Sequence, residues 1–77
     1  MIRCKFDDLR RAKALKEKRD LSVRTVASET GLATGTIQRI RHGTMERVYI
    51  STLDRLCRYF SVEQIGELIE YVPEGQG

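Results

Sequence analysis

The apolar positions between residues 22 and 43 follow the spacing of two short helices joined by a tight turn. Ser22 offers an N-cap oxygen to a first helix over residues 23–30, and Gly31 ends that helix because glycine tolerates a positive φ angle. A second helix follows at about residues 34–42. The positions predicted to face inward are Val26, Ala27, Leu32, Ile37 and Ile40. This spacing predicts a helix-turn-helix arrangement.

A basic amphipathic helix is predicted before this motif, beginning at Asp7 or Asp8, where a carboxylate meets the positive end of the helix dipole. Its apolar residues recur at three-residue steps: Phe6, Leu9, Ala12 and Leu15. The opposite face carries five cations, Arg10, Arg11, Lys13, Lys16 and Lys18. Such a helix could lie on a membrane surface, but its apolar face is narrow and the helix-turn-helix needs it for packing. We interpret it as a core helix with a solvated or phosphate-facing side.

Two further helices are predicted after a connection over residues 44–50. The fourth begins at Ser51, where the next residues resemble a capping box. Its buried stripe is Leu53, Leu56, Cys57 and Phe60. A second capping box at Ser61 opens a fifth helix, which Pro73 ends. The apolar residues of this fifth helix are Val62, Ile65, Leu68, Ile69 and Val72. A short polar tail, predicted to be frayed, follows at residues 74–77.

The first residues alternate between apolar and basic side chains. Ile2, Cys4 and Phe6 fall on one side of the chain and Arg3 and Lys5 on the other, which is the period of a short half-buried strand. A strand needs a partner, and the only apolar candidate elsewhere is the segment at residues 71–72. The sequence therefore predicts a two-stranded patch that joins the termini of an otherwise all-α domain.

Length and composition indicate a single domain over residues 1–77 with a small core, since a chain of 77 residues buries only ~60–65% of its unfolded surface. The sequence contains no run of ~20 apolar residues and no signal peptide, so we expect a cytoplasmic protein. Cys4 and Cys57 stand far apart and the chain has one histidine, so neither a zinc site nor a disulfide framework is predicted. We expect no metal and no cofactor.

The net charge of +3 is spread unevenly along the chain. Residues 1–47 hold 12 Lys or Arg and 6 Asp or Glu, whereas residues 48–77 hold 2 and 5. A charged helix face is usually only solvated. The concentration of basic residues around the helix-turn-helix nevertheless favours a polyanionic partner.

A catalytic site would need titratable groups that converge in a pocket, and the sequence shows none. His42 is the only histidine and lies at the end of the second motif helix, where a cap or a phosphate neighbour is a better interpretation than a catalyst. Ser28 and Ser61 have no nearby base. We therefore expect a protein that is not an enzyme and takes no small-molecule ligand.

The motif resembles the Cro/repressor-type, XRE-like helix-turn-helix domains of bacterial and phage regulators. The matching positions are Ala27, Gly31, Leu32, Ile37 and Ile40. Residues 36–43 are similar to that family's second helix and its closing glycine. The resemblance covers nearly the whole chain. It implies a compact five-helix lambda-repressor-like domain that binds double-stranded DNA and regulates transcription as a repressor.

By this resemblance the second motif helix enters the major groove of DNA, and four of its positions face base edges: Thr34, Gly35, Gln38 and Arg39. Gln38 can pair with N6 and N7 of adenine and Arg39 with O6 and N7 of guanine, each good pair giving ~1–3 kcal/mol of discrimination. The alternative is that both side chains lie on a solvated helix face. Gly35 departs from the long polar residues common in the family and offers no side chain for readout.

The resemblance also implies contacts to DNA phosphates, from side chains and from helix amides near two helix starts. The expected residues are Ser22, Arg24, Thr36, Arg41, Thr44, Arg47 and Ser51. Val23 departs from the family, in which a phosphate-binding glutamine is common at this place, so affinity would depend more on Arg24 and the basic first helix. For Arg41 an alternative stays open: a solvated arginine without a partner in the free protein.

Most relatives act as two-fold dimers whose recognition helices lie ~34 Å apart, so we expect a homodimer on an inverted-repeat operator. The predicted dimer contact is the fifth helix or the terminal strand patch, with Ile65, Leu68, Ile69, Tyr71 and Val72. The alternative is that these residues complete the core. A second function is a protein-interaction module, antitoxin-like or polymerase-docking, that does not read DNA. The acidic C-terminal third and the apolar fifth helix motivate that hypothesis.

Overall fold

The computed structural model of the chain describes residues 1–44 and 46–73. Four α-helices occur in these residues: α1 (Phe6–Glu17), α2 (Val23–Thr30), α3 (Thr34–His42) and α4 (Ile50–Phe60). The remaining elements are a strand β1 (Ile2–Cys4), a single 3₁₀ turn (Ile65–Glu67) and a strand β2 (Ile69–Tyr71). Met45, in the predicted connection, and the predicted polar tail at residues 74–77 lie outside the described residues.

The two motif helices have the predicted bounds, and local signals determine three of their four ends; α3 begins after Ala33 without a side-chain cap. The Ser22 hydroxyl accepts a hydrogen bond from the Thr25 amide at 3.1 Å, which caps α2. At Gly31 the φ angle is +76°, and its amide donates to the Ala27 carbonyl at 2.9 Å. Gly43 closes α3 in the same left-handed conformation, with φ at +69°. The helix-turn-helix prediction is confirmed.

The core lies where α1 and α4 meet the inner sides of the motif helices. The completely buried side chains come from five different parts of the chain: Phe6, Val26, Ile37, Leu56 and Leu68. Leu21, Ala27 and Ile40 complete the buried cluster, and Leu32 is half-buried against it. The inward face predicted for the motif is therefore confirmed. Phe6 meets the Phe60 ring edge to face, with 5.5 Å between the ring centroids.

The predicted apolar stripe of α1 is wrong in its second half, because Ala12 is exposed and Leu15 is 82% exposed. Three residues turn a helix by only about 300°, so three such steps carry the side chain to the opposite face. Ala14 packs against the core instead, and the Lys13 ammonium lies 4.6 Å from the centroid of the Tyr59 ring.

The predicted start of α4 and the whole predicted fifth helix are wrong. Helix α4 begins one residue earlier, at Ile50, so Ser51 lies inside it and caps nothing. Ser61 ends α4 with a φ angle of +55° instead of opening a new helix. In the next segment the Glu67 carboxylate accepts hydrogen bonds from the amides of Glu63 and Gln64 at 2.8 and 3.0 Å, which stabilises one 3₁₀ turn.

The last described segment forms a strand because β1 supplies its partner. Strands β1 and β2 pair antiparallel, with Ile2 opposite Tyr71, Arg3 opposite Glu70 and Cys4 opposite Ile69. The Lys5 amide continues the pairing with a 2.7 Å hydrogen bond to the Leu68 carbonyl. The predicted two-stranded patch between the ends of the chain is confirmed, but its second strand is Ile69–Tyr71 and not residues 71–72.

A polar network joins α2 to α4 and to the segment after α1. The Arg19 guanidinium donates to both Glu29 carboxylate oxygens at 2.6 and 2.7 Å, and the Tyr59 hydroxyl donates to the same carboxylate at 2.7 Å. These hydrogen bonds lower the pKa of Glu29 to about 2. Burial and the Glu29 carboxylate raise the pKa of Tyr59 to about 12. The network helps to hold the helix-turn-helix against its supporting helices.

Candidate nucleic-acid interface

One side of α3 is anchored in the core and the other faces solvent. Ile37 and Ile40 are buried, whereas Thr34, Gly35 and Arg39 are exposed. The anchored side prevents the helix from rotating, so the exposed side chains have a defined orientation relative to the rest of the domain. Three of the four residues predicted to face base edges therefore lie on an accessible surface of a fixed helix.

The guanidinium of Arg39 lies next to Gly35. A Cβ atom built on Gly35 would lie 3.6 Å from Arg39 Nη2, so the arginine side chain lies along the first turn of α3. This distance is an ordinary van der Waals contact, so the position of Arg39 does not itself require a glycine at residue 35.

Gln38, the fourth predicted base-reading residue, is half-buried and belongs to a polar cluster. Its Oε1 accepts a hydrogen bond from Arg41 Nη1 at 3.2 Å. Arg41 Nε in turn donates to both carboxylate oxygens of Asp7, each at 2.9 Å. Arg41 is therefore only partly exposed, and in the free protein its guanidinium is held by Asp7 and Gln38. The alternative of a partnerless Arg41 is wrong.

Asp7 lies between two arginines. Arg10 Nε and Nη2 each approach Asp7 Oδ1 at 3.3 Å, and Arg10 Nη1 donates to the Leu21 carbonyl at 2.8 Å. Burial alone would raise the pKa of Asp7, but the hydrogen bonds and positive charges of Arg41 and Arg10 together hold it below its usual value. The carboxylate is charged at neutral pH. Sequence reasoning missed this role, because 34 positions separate Asp7 from Arg41 and no local pattern links them.

The residues predicted to contact phosphates lie in different settings. Arg24 is exposed and Thr36 is half-buried, while the Ser22 hydroxyl caps α2. Thr44 and Arg47 are exposed and line one open concavity with Arg39 and Glu46. Ser51 is exposed and is the second residue of α4, so its amide belongs to the free amides of that helix start, although its side chain caps nothing. The structure thus brings Arg39, Thr44 and Arg47 together.

The five residues predicted to form a dimer contact are not equally accessible. Leu68 is 0% exposed and belongs to the core, so its side chain is not available to a second copy. Ile69 and Val72 are half-buried, and Ile65 and Tyr71 are 48% and 68% exposed. Tyr71 lies opposite Ile2, which is also exposed.

Over residues 1–44 and 46–73, no group of three or more His, Cys, Asp or Glu side chains is placed to hold a metal ion. Cys4 and Cys57 are free thiols whose pKa is raised mainly by burial. His42 is exposed in the last turn of α3. None of the described helices is both long and apolar enough to cross a membrane.

A family model described as Cro/C1-type HTH DNA-binding domain matches residues 3–74 of the 77. That span includes every described helix, all of β2 and all of β1 except Ile2. No curated protein and no solved structure matches the chain. The matched family is typically non-enzymatic.

Proposed function

Because the chain belongs to the Cro/C1-type helix-turn-helix DNA-binding domain family, we propose that it is a sequence-specific, repressor-like regulator of transcription. In this proposal α3 enters the major groove of double-stranded DNA, and two copies bind an inverted-repeat operator. Thr34, Gly35, Gln38 and Arg39 face the bases.

The observation that carries this proposal is the anchored and accessible geometry of α3. The helix has nine residues, and an α-helix with its side chains is about 10–12 Å in diameter. A single α-helix therefore fits the major groove, which is about 12 Å wide. Ile37 and Ile40 hold its inner side, so Arg39 and the first turn project together. A rigid support of this kind gives side chains the fixed placement that base readout requires.

In this proposal the residues around the exposed side of α3 contact the DNA phosphates. Arg24, Thr36, Thr44 and Arg47 supply side-chain donors, and Ser22 marks the start of α2, where backbone amides of the first helical turn point outward. The loop side of α4 near Ser51 is a second backbone contact. Arg41, expected among these residues, is held by Asp7 instead. Such contacts position the domain, while base contacts specify the sequence.

Replacing Arg39 by Ala is expected to relax base preference at one position of each half-site, with a loss of ~1–3 kcal/mol of discrimination there. Replacing Arg47 by Ala is expected to weaken binding to all duplexes by a similar factor, because phosphates carry no sequence information. The measurement is a set of binding titrations against single-base variants of one duplex. The two variants match in the charge removed and line the same concavity, so an equal loss of preference from both would contradict the assignment.

The proposed dimer contact lies on the sheet. Tyr71 and Ile2 are 68% and 61% exposed, and the pairing of β1 with β2 places them side by side. Val48 and Ile2 also line an apolar groove of about 270 Å³ between the sheet and the C-terminal end of α3. Exposed apolar patches of this kind mark interaction surfaces. A second copy docked on this patch would lie close to α3.

The protein-interaction hypothesis rests on a specific observation as well. Tyr49 and Ile50 are each 80% exposed at the start of α4. These side chains would suit a protein partner that binds beside the motif without DNA. Co-purification of a stoichiometric protein partner, with no retention of DNA at low salt, would favour this second function over the first.

A further inference from the structure

A chain of polar contacts connects the start of α1 with the DNA-facing side of α3. We propose that Asp7 is a positioning residue for base readout. Through Arg41 it fixes the Gln38 amide with its NH₂ group outward, so that Gln38 selects guanine over adenine at the base that it meets. The inference rests on the proposed DNA-binding function, and neither the family match nor the sequence pattern indicates it.

The orientation of the Gln38 amide follows from its partner. A guanidinium group has only donors, so the amide atom that faces Arg41 Nη1 at 3.2 Å must be Oε1. Nε2 lies in the same amide plane, on the opposite side of Cδ from Oε1, and is directed away from Arg41. To turn the oxygen outward, the side chain would have to break its hydrogen bond to a charged group, and such bonds are among the stronger ones.

Asp7 is what keeps Arg41 in this position. Its two oxygens each accept from Arg41 Nε at 2.9 Å, which directs Nη1 of the same planar group towards Gln38. Arg10 holds Asp7 from the other side and is itself tied to the Leu21 carbonyl. The carboxylate thus has a fixed position on α1, and the orientation of two α3 side chains depends on it.

An outward NH₂ group changes what Gln38 can recognise. Bidentate pairing with adenine needs both amide atoms at the base edge, Oε1 accepting from N6 and Nε2 donating to N7. Oε1 can accept a second hydrogen bond, but it is turned towards Arg41 in this proposal, so only the Nε2 donor reaches the base edge. Guanine presents two acceptors, N7 and O6, whereas adenine presents N7 beside a donor group. The adenine pairing expected from the sequence is replaced by a preference for guanine.

The test uses Asp7→Asn and Asp8→Asn as a matched pair. Both changes remove one negative charge from the first turn of α1, but Asp8 contacts only Arg11, at 3.7 Å, among the ion pairs of the described residues. Any increase in DNA affinity that comes only from the loss of one negative charge is therefore the same in Asp7→Asn and Asp8→Asn. A duplex is first selected from a random library, and the base pair read by Gln38 is identified as the one whose preference disappears in Gln38→Ala.

At that base pair the wild-type protein and Asp8→Asn are expected to prefer guanine to adenine by roughly tenfold. Asp7→Asn is expected to lose most of this preference for guanine or to prefer adenine. Arg41→Ala is expected to have the same effect, although Asp7 stays paired with Arg10 in that variant. Asp7→Asn combined with Gln38→Ala should show no shift beyond that of Gln38→Ala alone. Circular dichroism verifies that each variant is folded.

Two outcomes separate the inference from the function on which it rests. If a duplex is selected but Asp7→Asn and Asp8→Asn show the same base preference, or the wild type prefers adenine, the inference is wrong and the DNA-binding function stands. If no duplex is selected, both fail. If Asp7→Asn does not fold, Arg41→Ala decides: an unchanged guanine preference in that variant overturns the inference.

Discussion

Replacing Phe6 by Ala is expected to lower the free energy of unfolding by about 3–5 kcal/mol. The ring is 0% exposed, contacts Phe60 edge to face, and lies where α1 closes over the core. Typical stabilities per residue give a domain of this length only about 4–12 kcal/mol in total. The loss would leave much of the protein unfolded at moderate temperature. Urea titrations followed by circular dichroism measure the change.

Leu15→Ala is the matched control for this prediction. Leu15 belongs to the same apolar repeat in the sequence, but it is 82% exposed, so its removal is expected to cost less than about 0.5 kcal/mol. If Phe6→Ala and Leu15→Ala lowered the free energy of unfolding by similar amounts, α1 would pack along the predicted three-residue stripe. A cost for Phe6→Ala that is at least about six times the cost for Leu15→Ala supports the face observed in the structure.

Raising the salt concentration is expected to weaken DNA binding steeply. If a dimer contacts about six to ten phosphates, the affinity falls about 10³- to 10⁵-fold between 50 and 200 mM salt, because condensed counterions are released on binding. Fluorescence anisotropy with a labelled duplex over this range gives the slope of log affinity against log salt. Arg47→Ala should make that slope shallower by about 1 for each protomer.

Arg58→Ala is the control for the salt titration. Arg58 is an exposed arginine of α4 that pairs with Asp54 at 3.1 Å and lies outside the proposed DNA surface. Its removal should leave the slope unchanged. A slope near zero for the wild type would argue against a polyanionic partner, and equal effects of Arg47→Ala and Arg58→Ala would remove Arg47 from the proposed surface.

The sequence was sufficient to predict α2 and α3 because their ends depend on short-range chemistry. A serine oxygen caps one helix within three residues, and the two glycines adopt the left-handed conformation that other residues avoid. The inward face of the motif follows from the helical period. These are local causes, and local causes can be recognised from sequence.

The errors share another cause, which is contact between distant parts of the chain. Residues 61–73 have enough apolar positions for a helix, yet β1 offers backbone partners to Ile69–Tyr71 and Leu68 fills the core. Gly66 in the middle also disfavours a helix by about 1 kcal/mol. Whether this segment forms a helix or a strand depends on the position of β1, and no local pattern gives that position.

The candidate site was predictable in part for the same reason. The exposure of Arg39 follows from its place on α3 opposite Ile37 and Ile40. The hydrogen bonds of Gln38 and Arg41 depend on Asp7, which reaches them from α1. A helical pattern shows which residues share a face, but it does not show which carboxylate from another helix meets them.

The central claim is that α3 reads a DNA sequence, and selection from a library of random duplexes tests it most directly. The account predicts an enriched inverted repeat whose half-site centres lie about 34 Å apart, one turn of the double helix. It also predicts that Arg39→Ala, selected in parallel, loses preference at one position in each half-site. Recovery of duplexes with no common sequence, at a salt concentration where the protein still binds DNA, would contradict it.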